Sequence, residues 1–197
     1  MKTLALDTAH QYLTIALIED ERLIDSLQVL AIRQQSEMIM VEIDNLFKRN
    51  QWQSTDLNSV LITIGPGSYT GLRIAMTIAK VLASIAPIQI YTLSTLALLA
   101  GNNEQCAVVL DARSERVYFG LYDQGTCVMV DQILTLEQAT PILKTCKNVM
   151  GQGSLFGYKD DFNYVQHFVD LRKQWVKVDD LHRLVPLYLK TESDYQV

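Results

Sequence analysis

The chain has 197 residues, enough for one large domain or two small ones, and its 49% hydrophobic and 20% charged residues are usual for a globular protein. Its formal net charge of -5, without any run of Lys and Arg, argues against a protein that binds nucleic acid on its own. The start has no long apolar signal region, and Pro87 and Gln89 interrupt the most apolar stretch, so we expect a cytoplasmic protein without a membrane partner.

The first half of the chain alternates predicted strands and helices. A short apolar run ends at Asp7, an alternating strand follows, and a third strand is predicted near residues 23–30. Helical spacing predicts a helix over about residues 33–50, with an apolar stripe about 120° wide formed by Ile39, Met40, Ile43, Leu46 and Phe47. The β-branched run at 60–64 predicts a buried strand.

A glycine-rich segment, Gly65-Pro66-Gly67-Ser68-Tyr69-Thr70-Gly71, leads into a second helix that extends to about Ser84. Free amides at a helix start attract anions, which indicates a nucleotide cleft formed by Asp7, Gly65, Gly67, Ser68 and Gly71. The other interpretation is structural. The segment is then a strand–turn–helix connection capped by Ser68 or Thr70, and Asp7 caps a tight turn.

The second helix is apolar on almost all sides, so it has to be covered on more than one of them. We assign the large residues Ile74, Ile78, Val81 and Ile85 to the face that packs on a sheet. The small-residue face, together with spare apolar residues of the first helix, is the predicted partner interface: Met38, Val41, Leu72, Met76, Ala79 and Ala83. The alternative is that the two helices simply pack on each other.

After a strand at 88–91 and a short helix at 94–100, the second half repeats the opening of the chain. Residues 107–111 match residues 3–7, with Asp111 in the place of Asp7, and an alternating strand follows at the same offset. This repeat predicts two lobes, residues 1–101 and a shortened second lobe of residues 102–197 whose C-terminal segment returns to the first. An aspartate from each lobe is expected to face the cleft between them.

Neither metal binding nor catalysis is indicated by the spacing of reactive residues. The histidines form no HxxxH or HExxH pair and the cysteines no CxxC pair, so we predict no metal site. A phosphotransferase would need a phosphate loop in the second lobe, and Gly151-Gln152-Gly153-Ser154 is the candidate for it.

Several segments resemble the bacterial TsaB (YeaZ) family of tRNA threonylcarbamoyladenosine biosynthesis proteins. They are Leu4-Ala5-Leu6-Asp7-Thr8, Gln35-Ser36-Glu37, Gly65 to Ile74, Asp111-Ala112-Arg113 with Val117-Tyr118, and Pro186-Leu187-Tyr188-Leu189. The resemblance is good over residues 1 to about 123. It implies an α/β fold of the actin-like ATPase (ASKHA), ribonuclease H-like type, duplicated into two lobes of mixed sheet with helices.

The resemblance also implies a function. The chain would be a non-catalytic subunit for making threonylcarbamoyladenosine at position 37 (t6A37) of tRNA, pairing through its first two helices with a TsaD-like catalytic subunit. A TsaE-like ATPase would bind the pair, tRNA would be reached through the complex, and a homodimer would use the same surface. No tightly bound cofactor is expected, and ATP or ADP would bind weakly at the level of the complex. The alternatives are a nucleotide-dependent phosphotransferase and a glycoprotease-like metallopeptidase.

Overall fold

The computed structural model describes residues 1–189, which form ten β-strands and five α-helices. The strands are β1 (Lys2–Asp7), β2 (Tyr12–Glu19), β3 (Arg22–Leu30), β4 (Ser59–Thr63), β5 (Gln89–Leu93), β6 (Cys106–Arg113), β7 (Arg116–Asp123), β8 (Thr126–Thr135), β9 (Asn148–Gly151) and β10 (Val176–Lys177). The helices are α1 (Gln35–Asn50), α2 (Tyr69–Ile85), α3 (Thr95–Ala100), α4 (Leu136–Leu143) and α5 (His167–Asp170). The strands and helices predicted up to residue 121 all form, with ends shifted by a few residues.

The strands form two mixed sheets with the same core topology. The first sheet has the order β10-β5-β4-β1-β2-β3, in which β1 pairs antiparallel with β2 and parallel with β4. The second sheet has the order β8-β7-β6-β9, in which β6 pairs antiparallel with β7 and parallel with β9. An antiparallel meander followed by a parallel strand therefore occurs twice. The predicted actin-like, ribonuclease H-like fold with two lobes is confirmed.

Three buried apolar clusters hold the layers together. Helices α1 and α2 cover one face of the first sheet, where Leu6 packs in the same cluster as Ile39. Helix α3 is buried between the two sheets, in one cluster with Ala5 and Val108. Helix α4 covers the outer face of the second sheet. Because both sheets contribute to the middle cluster, burial of apolar surface fixes the two lobes against each other.

The face of helix α2 that was predicted to be external packs against the sheet. Its buried residues are Gly71, Leu72, Ala75, Met76 and Ala79, and Ala83 is half-buried against the same cluster. Small side chains on this face let the helix backbone approach the sheet closely, which explains why they lie inside. The large residues Ile74, Ile78, Val81 and Ile85 remain half-buried or exposed. The prediction that Leu72, Met76, Ala79 and Ala83 form an external face is wrong.

Helix α1 follows its predicted stripe with one exception. Ile39, Ile43, Leu46 and Phe47 are buried, as predicted, but Met40 is exposed. Val41 is exposed as well, whereas Met38 packs partly against the core cluster under the helix and offers less surface than predicted. The apolar surface left over on α1 is therefore at Met40 and Val41.

The chain crosses back to the first sheet after β9, where β10 pairs antiparallel with β5. The division into residues 1–101 and 102–197 stays a prediction, and its last eight residues lie outside the described part. No helix within residues 1–189 combines the length and the apolar character needed to cross a membrane.

Candidate functional site

A cleft of about 830 Å3 lies between the two lobes. Its walls come from the β1–β2 turn, the start of α1, the glycine-rich segment and the β6–β7 hairpin. Of the predicted cleft residues, Gly67, Ser68 and Gly71 line it, whereas Asp7 and Gly65 do not. The second-lobe aspartate, Asp111, does line the cleft, together with the exposed arginines Arg33 and Arg113. The cleft thus forms between the lobes but with one aspartate instead of two.

The glycine-rich segment packs backbone to backbone against the β1–β2 turn. A Cβ on Gly71 would collide with the carbonyl oxygen of Thr8, and one on Gly67 would collide with that of Ala9. The Ser68 amide donates to the Ala9 carbonyl at 2.7 Å, and the Thr8 hydroxyl donates to the Gly71 carbonyl at 2.6 Å. These two glycines are therefore required for close approach, which supports the structural interpretation of the segment.

The same segment also starts α2 in the predicted way. Ser68 is the N-cap residue, and its side-chain oxygen accepts from the Gly71 amide at 3.2 Å. Only Gly65 within the segment has a φ in the left-handed region, 118°. A glycine is needed at position 65 for its torsion as well as for its contact with the carbonyl of Leu187.

Asp7 is fully buried, and both of its carboxylate oxygens interact with other groups of the chain. Oδ1 accepts from the Thr63 hydroxyl at 2.6 Å and from the Ala9 amide at 3.0 Å. Oδ2 accepts from the Tyr164 hydroxyl at 2.8 Å and lies 2.9 Å from Nε2 of His10. Burial opposes ionisation, but the attraction and hydrogen bonds from His10, Thr63 and Ala9 outweigh it and hold the pKa of Asp7 below its ordinary value. The prediction that Asp7 faces the cleft is wrong.

His10 and Tyr164, the two aromatic partners of Asp7, make further contacts inside this buried network. Nδ1 of His10 lies 3.2 Å from the Tyr12 amide, and Nε2 of His10 faces the Asp7 carboxylate. Tyr164 also shares a hydrogen bond of 2.6 Å with the Thr14 hydroxyl. Burial and the nearby charge of Asp7 raise the pKa of the Tyr164 phenol well above its ordinary value. Tyr164 lies in a segment for which the sequence predicted no structure, so this partner was missed.

The candidate phosphate loop of the second lobe uses its amides internally. The Gly151 amide donates to the Asp161 carbonyl at 2.6 Å, the Gln152 amide to the Val109 carbonyl at 2.8 Å, and the Ser154 amide to Oδ1 of Asp160 at 2.8 Å. The Gln152 side chain accepts from the Asp111 amide at 2.7 Å. With three of the four amides occupied, this segment does not present the row of free donors that a phosphate cradle needs.

Metal coordination has no candidate cluster in the described part of the chain. Within residues 1–189, no three His, Cys, Asp or Glu side chains are placed to hold one metal ion. Asp111, the aspartate that lines the cleft, accepts from the Arg113 amide at 2.7 Å in the hairpin turn.

A second candidate site is the outer side of α1 and α2. A shallow groove of about 440 Å3 runs between the helices and is lined by Met40, Tyr69, Arg73, Ile74 and Ile78, among others. Exposed apolar residues continue beyond the groove on both helices. We call the whole surface the helix face; it consists of the exposed residues Met40, Val41, Val81 and Ile85 and the half-buried residues Ile74 and Ile78. Contiguous exposed apolar residues of this kind are typical of protein interfaces.

Comparison with known proteins gives consistent matches. Residues 29–154 match the family described as TsaD, tRNA N6-adenosine threonylcarbamoyltransferase. The tRNA threonylcarbamoyladenosine biosynthesis protein TsaB of Bacillus subtilis is 29% identical, in an alignment that covers 96% of this chain and 94% of that protein.

Two solved structures from Pseudomonas aeruginosa share the fold. One, described as similar to the peptidase YeaZ, superposes with a TM-score of 0.81 at 22% identity and covers 96% of this chain and 99% of its own. The other, YeaZ, superposes with a TM-score of 0.75 at 19% identity and covers 95% and 99%. The resemblance to TsaB (YeaZ) proteins that the sequence motifs indicated is confirmed.

Proposed function

The chain belongs to the TsaD family of tRNA N6-adenosine threonylcarbamoyltransferases, and on that premise we propose that it is a non-catalytic subunit for t6A synthesis that binds and activates a TsaD-like transferase. The observation that carries the proposal is the helix face. Two neighbouring helices leave large apolar side chains uncovered, although smaller residues of α2 are buried inside. Burying such a surface against a partner is favourable by about 25 cal/mol per Å2.

The partner is inferred from the range of residues that the family match covers. It spans residues 29–154 and so includes α1 and α2, which means that a TsaD-like subunit is expected to carry an equivalent helix pair. Two such pairs pack naturally as a four-helix bundle with their apolar stripes turned inward. A second copy of this chain offers the same surface about a two-fold axis, so a homodimer competes with the heterodimer.

The groups predicted to act in the cleft are instead used inside the fold, which supports a role without transfer chemistry. The carboxylate of Asp7 is engaged by Thr63, Tyr164 and His10, and the glycine-rich segment packs on the β1–β2 turn. A phosphotransferase or a metallopeptidase would instead predict ATP or peptide turnover by the purified chain, abolished by Asp111→Asn at the cleft. We assign contact with tRNA to the complex, because the net charge of this chain is -5. The weak binding of ATP or ADP and the TsaE-like ATPase are part of the proposal through the family resemblance alone.

A charge placed on the helix face tests the proposal against a matched control. Val81 on α2 is 52% exposed, and Val128 on β8 of the second lobe is 60% exposed. Val81→Glu should weaken binding to the purified TsaD protein of the same organism at least about tenfold, since a buried unpaired carboxylate costs several kcal/mol. Val128→Glu should leave the affinity unchanged. Titration calorimetry measures both, and equal affinities for the two variants would contradict the proposal.

Two further readouts separate docking from folding and connect it to the pathway. Ala79 is completely buried, so Ala79→Glu should unfold the chain and lose its helical circular dichroism, whereas Val81→Glu should stay folded. In a strain depleted of the native protein, nucleoside mass spectrometry should show that Val128→Glu restores t6A in tRNA and that Val81→Glu does not. Normal t6A in the depleted strain itself would sink the assignment to this pathway.

A further inference from the structure

The end of the described chain is fixed beside the helix face. Leu184 is buried in the cluster under α1 and α2, and the Leu187 amide donates to the Ile64 carbonyl at 2.7 Å. The Leu187 carbonyl lies over Gly65, where a Cβ would come within 2.5 Å of it. We call residues 184–189 the C-terminal strap. It is attached at the carboxyl end of β4, directly before α2 begins.

Tyr188 of the strap is tied to the first turn of α2. Its ring stacks on the ring of Tyr69, with centroids 4.9 Å apart and planes inclined by 25°. Its hydroxyl accepts from Nε of Arg73 at 3.0 Å, and the guanidinium carbon of Arg73 lies 4.0 Å from the Tyr69 ring centroid. Three residues from two distant parts of the sequence thus form one cluster, which we call the Tyr-Arg cluster.

Two residues of the Tyr-Arg cluster are part of the groove between α1 and α2. Tyr69 and Arg73 both line that groove, next to Ile74. The rings are still accessible after stacking, since Tyr69 is 46% and Tyr188 37% exposed. Within residues 1–189, the only hydrogen bond of the Arg73 side chain is the one from Nε, so its Nη donors are free. The Tyr-Arg cluster therefore offers aromatic rings and cationic donors to a partner that binds in the groove.

We propose that the C-terminal strap is part of the docking surface and that Tyr188 positions Arg73 for the partner. The inference rests on the proposed function, because the occupant is the helix pair of the TsaD-like subunit. It adds a chemical requirement: the partner brings apolar side chains onto the Tyr69 and Tyr188 rings and an Asp or Glu carboxylate onto the free Nη donors of Arg73. Tyr and Arg are the residue types that dominate interface energetics, and a bidentate carboxylate fits the guanidinium fork.

The test compares Tyr188→Ala with Tyr158→Ala, a tyrosine of the second lobe that is 41% exposed. Tyr188→Ala should weaken binding to the purified TsaD protein at least about tenfold, the size usual for an interface hot spot, while Tyr158→Ala leaves it unchanged. Tyr188→Phe keeps the ring but not the hydroxyl, so its affinity for TsaD should lie between those of Tyr188→Ala and Tyr158→Ala. Its affinity should respond to added salt less than that of the wild type, because Arg73 is no longer oriented toward the carboxylate.

The outcomes separate the strap from the helix face itself. If Val81→Glu abolishes binding and Tyr188→Ala does not weaken it, the strap inference is overturned and the proposed function stands. If neither variant affects binding, the helix face is not the interface. Should Tyr188→Ala fail to fold, hydrogen exchange on the wild-type complex decides: the strap amides of Val185 and Tyr188 gain protection on adding TsaD, or the inference is wrong.

Discussion

The two lobes contain the same hairpin, and its aspartate has opposite surroundings in each. Asp7 ends β1 in the first lobe and is buried, with both oxygens engaged by side chains and amides of the chain. Asp111 lies near the end of β6 in the second lobe and is exposed on the cleft wall. Two hairpins with the same topology can therefore place equivalent residues in different environments.

The difference has a physical cause in the segment that follows β9. Tyr164 comes from this segment, reaches across to the first hairpin and donates to Asp7. In the first lobe the aspartate has become a structural centre that joins the C-terminal part of the chain to the first sheet. The second-lobe aspartate keeps the accessible position on the cleft that both were predicted to share.

Removing each aspartate is the strongest way to break this comparison. Asp7→Ala deletes a buried carboxylate and leaves Thr63, His10 and Tyr164 without their acceptor, which should lower the free energy of unfolding by about 3 kcal/mol or more. Asp111→Ala should change it by about 0.5 kcal/mol or less, as is usual for an exposed site. Urea unfolding followed by circular dichroism measures both. Similar losses for the two variants would show that Asp7 is not a structural centre.

Two glycines extend the comparison to the segments that follow a strand in each lobe, Gly71 in the first turn of α2 and Gly157 after β9. Gly71→Ala places a methyl group against the Thr8 carbonyl and should cost about 2–3 kcal/mol through overpacking. Gly157→Ala meets nothing within 4 Å but sits at a φ of 81°, so its cost should be only about 1 kcal/mol. Thermal unfolding of both variants ranks them. A larger loss for Gly157→Ala would mean that backbone torsion matters more here than close approach.

Much of the fold follows from local sequence patterns. Strands β1, β4 and β6 are short apolar runs that end at a polar residue or a glycine, and the repeat between the two halves predicted the duplicated topology. These patterns predict strands and helices because burial of one face repeats apolar residues at a fixed spacing. That spacing can be recognised in the sequence without knowing which element covers the face. The cap at Ser68 was among the predicted alternatives for the same reason, since capping depends on residues a few positions apart.

The site depended on information that local patterns lack. Helix α2 is apolar on two faces, so periodicity could not decide which one packs on the sheet, and residue size suggested the wrong choice. The partner of Asp7 lies 157 residues away, in a segment without a regular pattern. The contact between Tyr188 and Tyr69 likewise joins two distant parts of the sequence. Long-range contacts of this kind exist only once the chain has folded.

The smallest expected effect concerns an aspartate whose surroundings shift its pKa the other way. Oδ2 of Asp131 on β8 accepts from the Ser94 hydroxyl at 2.6 Å, and Oδ1 accepts from the Tyr122 hydroxyl at 2.5 Å. Burial raises the pKa of Asp131 in spite of these bonds, whereas the pKa of Asp7 is lowered. The charged form of Asp131 therefore costs stability above its raised pKa, and this cost disappears as the pH falls through it. Asp7 contributes stability above the ordinary aspartate pKa of about 4 and loses it as the pH falls further.

Asp131→Asn sharpens this contrast because an amide carries no charge at any pH. At pH 7 the variant should be within about 1 kcal/mol of the wild type, since it gives up one acceptor but avoids a buried charge. Relative to the wild type, the variant should then become less stable as the pH is lowered, because only the wild type is relieved of a charge. Urea unfolding of both proteins between pH 3 and pH 7 measures the difference. A difference that does not change with pH would show that Asp131 keeps the same charge in the folded and unfolded chain throughout that range, and that burial in the second lobe does not oppose its ionisation.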